Sequence, residues 1–74
     1  METIRPLDIL NNAKGKEVTI ALKNETIFVG KVKTFDIHLN IVLFDAFELK
    51  NDKKEEIGSM LIRGDTIVTI KNLL

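Results

Sequence analysis

A chain of 74 residues buries only roughly 60% of the surface its unfolded form exposes, and ordering costs of roughly 1.5 kcal/mol per residue nearly cancel the gain from so thin a core. With no cysteine and one histidine, disulfides and thiolate or four-ligand zinc sites are excluded as supports, which leaves oligomerisation. Eleven Lys plus Arg balance eleven Asp plus Glu, so no bulk basic charge draws in nucleic acid, although a local pocket of stacking and hydrogen-bonding groups does not need one.

Arg5 to Gly15, RPLDILNNAKG, reads as a short helix. Pro6 suits the first turn and Gly15 a left-handed stop, while Leu7, Leu10 and Ala13 form an apolar stripe with Ile9 beside it. A helix this short is not stable alone and must dock. From Lys16 to Lys23 the period changes to two: Val18, Ile20 and Leu22 alternate with Glu17, Thr19, Ala21 and Lys23, which predicts a strand with one wet face. Asn24-Glu25 is read as a tight turn. Thr26 to Asp36 is a long second strand with apolar residues in both phases, and Gly30 marks a sharp bend.

Ile41 to Lys50 is a third strand, rich in β-branched and aromatic residues. Asn51 to Glu56 is all polar or charged and is expected to be a solvated loop. Glu56 to Arg63 and Thr66 to Lys71 are two further strands separated by Gly64-Asp65. One helix and five short strands, the second strongly bent, describe an all-β, small antiparallel barrel. The whole chain, 1–74, is expected to be one domain without repeats. No apolar run approaches the roughly 20 residues that cross a bilayer, and the N-terminus has no basic region followed by an apolar segment, so a soluble, cytoplasmic protein is expected.

Polar groups gather at two junctions. In FDIHLNIVL, Phe35 to Leu43, Asp36, His38 and Asn40 occupy every second position of an otherwise apolar run, where three buried polar side chains would need partners. The other junction is Arg63-Gly64-Asp65. The guanidinium of Arg63 and the imidazole of His38 are flat groups that stack on a nucleobase, and the amide of Asn40 offers a donor and an acceptor to a base edge. Asp36 is able to hold that amide or to tie down turn N–H groups. Gly64 permits a positive φ and lets a ligand approach the backbone closely.

Plainer readings exist for each residue. His38 alone is an ordinary surface histidine, Asp36 and Asp65 are turn formers, and Arg63 is a surface cation. A Ser59 triad lacks a nucleophile turn, and an Asp36/His38 metal site lacks a third ligand. A different class of function, a small barrel that binds a peptide along its edge, has little aromatic surface to work with, since the chain holds four Phe and no Trp or Tyr.

Gly30, the run FDIHLNIVLFDAFE from Phe35 to Glu48 and LIRGD from Leu61 to Asp65 together resemble the two-part signature of the Sm and Sm-like RNA-binding proteins, most closely the compact archaeal type. The resemblance covers Pro6 to about Asn72. It implies a five-stranded bent barrel with an N-terminal helix, assembled as a homo-oligomeric ring in which strand four of one subunit pairs with strand five of the next, with Ile57, Leu61, Ile67, Val68 and Ile70 partly in that interface. A seven-membered ring is expected, with six as the alternative, and closure would remove both sheet edges. It also implies a uridine pocket: His38 stacks on the base, Arg63 stacks or bonds from the other side, Asn40 reads it, Gly64 and Asp65 complete the wall, and Asp36 supports the asparagine. The implied ligand is single-stranded U-rich RNA, with RNA-processing proteins as further partners, no cofactor and no catalysis. Asp65 stands where many eukaryotic members carry asparagine.

Overall fold

The computed structural model describes residues 6–72; Arg5, the first residue of the predicted helix, lies outside them. Helix α1 spans Pro6–Ala13 and ends where Gly15 takes a φ of 76°, the left-handed stop expected from its sequence. The Gly15 N–H donates to the Val32 carbonyl at 2.9 Å, which ties the end of the helix to the sheet. Leu10 and Ala13 are fully buried, so the stripe at three-residue spacing is the docking face.

Strands β1 (Glu17–Leu22), β2 (Ile27–Phe35), β3 (Ile41–Lys50), β4 (Lys53–Ile62) and β5 (Ile67–Asn72) follow. They form one antiparallel sheet in the order β4-β3-β2-β1-β5. The first turn follows the sequence: Glu25 adopts a φ of 65°, and Asn24 Oδ1 accepts the Thr26 N–H at 3.2 Å. The sheet bends strongly where its registers slip, between Val29 and Lys31 on β2 and on either side of Ala46 on β3. Gly30 lies at this bend, and a Cβ there would come within 3.0 Å of Ala46 Cβ and 3.2 Å of Leu43 Cβ. The glycine therefore serves close strand packing as much as curvature. Asp45 (φ 51°) and Gly58 (φ 92°) carry the matching distortions on β3 and β4.

The bent sheet and α1 enclose Leu10, Ala13, Val18, Ile20, Val32, Ile41, Leu43, Ala46 and Ile62. Both outer strands, β4 and β5, keep one edge without a neighbour among the described residues. Ile57, Leu61 and Val68 are 40%, 62% and 60% exposed on those two strands, an apolar content that a free edge in water does not favour. No helix among the described residues is long and apolar enough to cross a membrane.

One expectation is corrected. Residues 51 to 56 are not a loop: β4 begins at Lys53, with Lys50 opposite Lys53 and Glu48 opposite Glu55. The connection is the pair Asn51-Asp52, both at positive φ, 51° and 62°, the primed geometry that suits a two-residue hairpin. The charges hide the strand because both faces of this hairpin end are wet, so no apolar alternation marks it. Lys54 lies across the sheet from Leu49, and its ammonium sits 4.2 Å from the Phe47 ring centroid, covering apolar surface while its charge stays in water.

Candidate functional site

Between β2 and β3 the chain reverses in five residues, and one carboxylate organises the turn. Asp36 Oδ1 accepts the backbone N–H groups of His38 and Asn40 at 2.9 and 3.0 Å, and its Oδ2 accepts the side-chain amide of Asn40 at 2.9 Å. The main chain closes the same ring: the Asp36 N–H donates to the Asn40 carbonyl and the Leu39 N–H to the Asp36 carbonyl, each at 3.1 Å. Two roles that the sequence left as alternatives, turn former and holder of the amide, are thus filled by one side chain. Leu39 takes a φ of 64° and packs against the core. His38 and Ile37 consequently face solvent, Ile37 with 76% of its surface exposed.

The second turn meets the first. Gly64–Thr66 forms a single 3-10 turn between β4 and β5, and the Gly64 N–H donates to Asn40 Oδ1 at 2.9 Å. Gly64 does not use the positive φ that a glycine permits; the left-handed glycines are Gly15 and Gly58. Its reason is contact. A Cβ on Gly64 would overlap the carbonyl oxygen of His38 and lie 2.9 Å from the Leu39 carbonyl carbon, so only a residue without a side chain lets the two backbones touch.

Asn40 is therefore locked in orientation. Its carbonyl faces a donor and its amide faces an acceptor-only carboxylate; a reversed amide would set like against like on both sides. Among the described residues these bonds use one lone pair of Oδ1 and one N–H of Nδ2, which leaves one acceptor and one donor for a ligand. On the second turn Arg63 Nη2 donates to Asp65 Oδ2 at 3.1 Å, with both side chains largely exposed. Thr66, which the sequence reading did not single out, donates to the Arg63 carbonyl through its N–H at 3.1 Å and its hydroxyl at 2.7 Å. A threonine three residues after the arginine is the signal for this local cap. All six predicted residues thus lie on two turns that abut, and Asp36, Asn40 and Gly64 form one hydrogen-bonded chain. Among the described residues, no three His, Asp or Glu side chains gather as a metal site.

The carboxyl of Asp36 is held below the usual aspartate range, first by the Asn40 side-chain amide and then by the Asn40 backbone N–H; partial desolvation opposes them, and the His38 N–H and the nearby imidazole add to the lowering. A depressed pKa means that the contribution of this turn is complete above the ordinary aspartate value of about 3.9 and is lost as pH falls through the lower value of the folded chain. An NMR titration of the Asp36 side-chain carboxyl is expected to give a midpoint below about 3.9, moving upward in Asn40→Ala. A midpoint at or above the ordinary value in the unaltered protein would contradict the geometry.

The LSM domain family model matches residues 8–72. A protein of Methanosarcina barkeri named as an snRNP Sm-like protein is 46% identical over 67 residues, covering 89% of this chain and 93% of the relative. The structure of the Pyrococcus abyssii Sm protein in complex with a uridine heptamer is 35% identical, with a TM-score of 0.89, and the match covers 95% of this chain and all of that one. A heptameric archaeal Sm protein, 28% identical, superposes with a TM-score of 0.87 over 90% of this chain and 98% of its own.

Proposed function

This chain belongs to the LSM domain family, and from that membership we propose that it forms a ring that binds single-stranded, uridine-rich RNA and acts as a chaperone or scaffold in RNA processing or turnover, without catalysing a reaction. The observation that carries the reading is the fixed amide of Asn40, held by Asp36 on its donor side and by Gly64 on its acceptor side. The Watson–Crick edge of uracil presents an N3–H donor beside a carbonyl acceptor, which complements the acceptor and donor that Asn40 has left. Cytosine presents the reverse, and a locked amide cannot turn to suit it. His38 and Arg63, exposed on the two flanking turns, supply flat groups for stacking above and below the base, with Asp65 and Gly64 as the wall.

A single stacked base contributes roughly 1–3 kcal/mol, too little for useful affinity. Identical pockets around a ring engage one strand at high effective concentration, and the free edges of β4 and β5 are the surfaces through which neighbours would pair. Two solved relatives are heptamers, so seven subunits are proposed here, with six as the alternative. Seven copies of Arg63 would bring seven guanidiniums to one pore, each beside the Asp65 carboxylate of its own subunit, so the proposed binding rests on stacking and hydrogen bonds and not on net charge. The proposed setting is the cytoplasm, with RNA-processing proteins as partners.

Binding of fluorescent oligo-U and oligo-C of equal length tests the reading. The unaltered protein is expected to favour oligo-U, Asn40→Ala to lose at least tenfold in oligo-U affinity together with the preference for U, and Arg63→Ala to weaken oligo-U by a similar factor. Light scattering is expected to give a mass near seven times the 8.4 kDa chain for all three. Equal, weak binding of both oligonucleotides by all three proteins, or a monomer at micromolar concentration, would remove the basis of the proposal.

A further inference from the structure

Asp65 places a carboxylate on a rim proposed to receive an anionic strand, and its contacts suggest why that is tolerated. Its Oδ2 accepts Arg63 Nη2 at 3.1 Å, on a turn whose backbone is pinned by the two Thr66 bonds to the Arg63 carbonyl. An arginine meets RNA in two ways. Its flat face stacks on a base, and its fork of N–H groups grips a phosphate. The modes carry different information, because a phosphate contact is blind to sequence whereas a stacked base is delivered to the reading group beside it. A carboxylate on one arm of the fork occupies a donor that a phosphate would take, yet it leaves both faces of the guanidinium open.

We propose that Asp65 is a specificity-determining residue: by holding the fork of Arg63 it directs the guanidinium to stacking and away from the RNA backbone, which sharpens the choice of base while lowering total affinity. The inference rests on the RNA-binding reading above. Both side chains are mostly exposed, 74% for Arg63 and 65% for Asp65, and an exposed pair of this kind shifts an equilibrium only a few-fold. The effect is therefore graded within each pocket and grows with the number of pockets that one strand occupies.

The test is a double-mutant cycle on oligo-U and oligo-C binding, measured at several salt concentrations, with Asp65→Asn, Asp65→Ala, Arg63→Ala and the two double variants. Both Asp65 variants are expected to gain more affinity for oligo-C than for oligo-U, so that the U-to-C ratio falls several-fold, and to show a steeper salt dependence. In the Arg63→Ala background the same changes at Asp65 are expected to leave the ratio unmoved. Equal gains for both oligonucleotides would mean simple charge repulsion and overturn the proposal, as would a ratio that shifts equally without Arg63. If the unaltered protein already fails to prefer oligo-U, the RNA reading falls and this inference with it; if that preference stands while the Asp65 variants leave it intact, this inference alone falls.

Discussion

Replacing Gly64 by alanine is expected to reduce oligo-U binding to the level of Asn40→Ala or below and to destabilise the fold in the same step. The added methyl would overlap the His38 carbonyl oxygen and press on the carbonyl carbons of His38 and Leu39, at 3.0 and 2.9 Å. These are backbone atoms of a turn held by Asp36, so no flexible side chain is available to yield. One turn must move, and the Gly64 N–H bond to Asn40 Oδ1 is the connection that breaks. Overpacking of this kind costs about 1–3 kcal/mol, and each kcal/mol lowers the melting temperature of a domain this size by about 4–8 °C. Circular dichroism melts and oligo-U titrations of Gly64→Ala check both effects; an unchanged melting temperature with full binding would show that the close approach of the two turns is not required.

The larger stability change is expected at Leu10. This side chain is fully buried between α1 and the sheet, and truncating such a leucine to alanine costs about 2–5 kcal/mol. The total stability of a 74-residue chain is about 4–11 kcal/mol at typical values per residue, so the substitution removes a large share of it. An eight-residue helix has little stability of its own and is expected to detach once its anchor is cut. Urea unfolding of Leu10→Ala followed by circular dichroism, at matched protein concentration because the proposed assembly would itself stabilise, should show the lower midpoint. A shift below about 0.5 kcal/mol, the range of ordinary surface substitutions, would mean that the helix is not an anchored part of the core.

The sequence made some of this plain and hid the rest for identifiable reasons. Period-two alternation revealed β1, because one face is buried and the other wet: Val18 and Ile20 are inside while Glu17 is out. The same test failed at the start of β4, where Lys53 to Glu56 are all exposed and no face is apolar. Asn51-Asp52 carries the hairpin without the glycine that usually marks one. At the site, the residue types suggested a base pocket, and the family resemblance supplied the residues proposed to form it. Physical reading left the job of Asp36 open, since bonding its own turn and orienting Asn40 both ask only for a carboxylate acceptor, and the fold uses one oxygen for each. The role of Gly64 was out of reach from local sequence: its constraint comes from the carbonyl of His38, a contact made only by the folded chain.

The strand order also has a consequence for how the molecule comes to exist. β2, β3 and β4 are joined by short connections and pair with their neighbours in sequence, so that meander is able to form early from local contacts. β1 is different: it pairs with β2 on one side and with β5 on the other, Val18 opposite Asn72. During synthesis the second side of β1 must wait for the last strand of the sheet. Until then the nascent chain shows two unpaired sides, on β1 and β4, instead of the native pair on β4 and β5, and an exposed strand side of this kind invites misassembly. In the ring proposed above, a subunit whose β5 had not docked would lack one of the two edges through which neighbours pair, so docking of β5 would be the checkpoint for assembly.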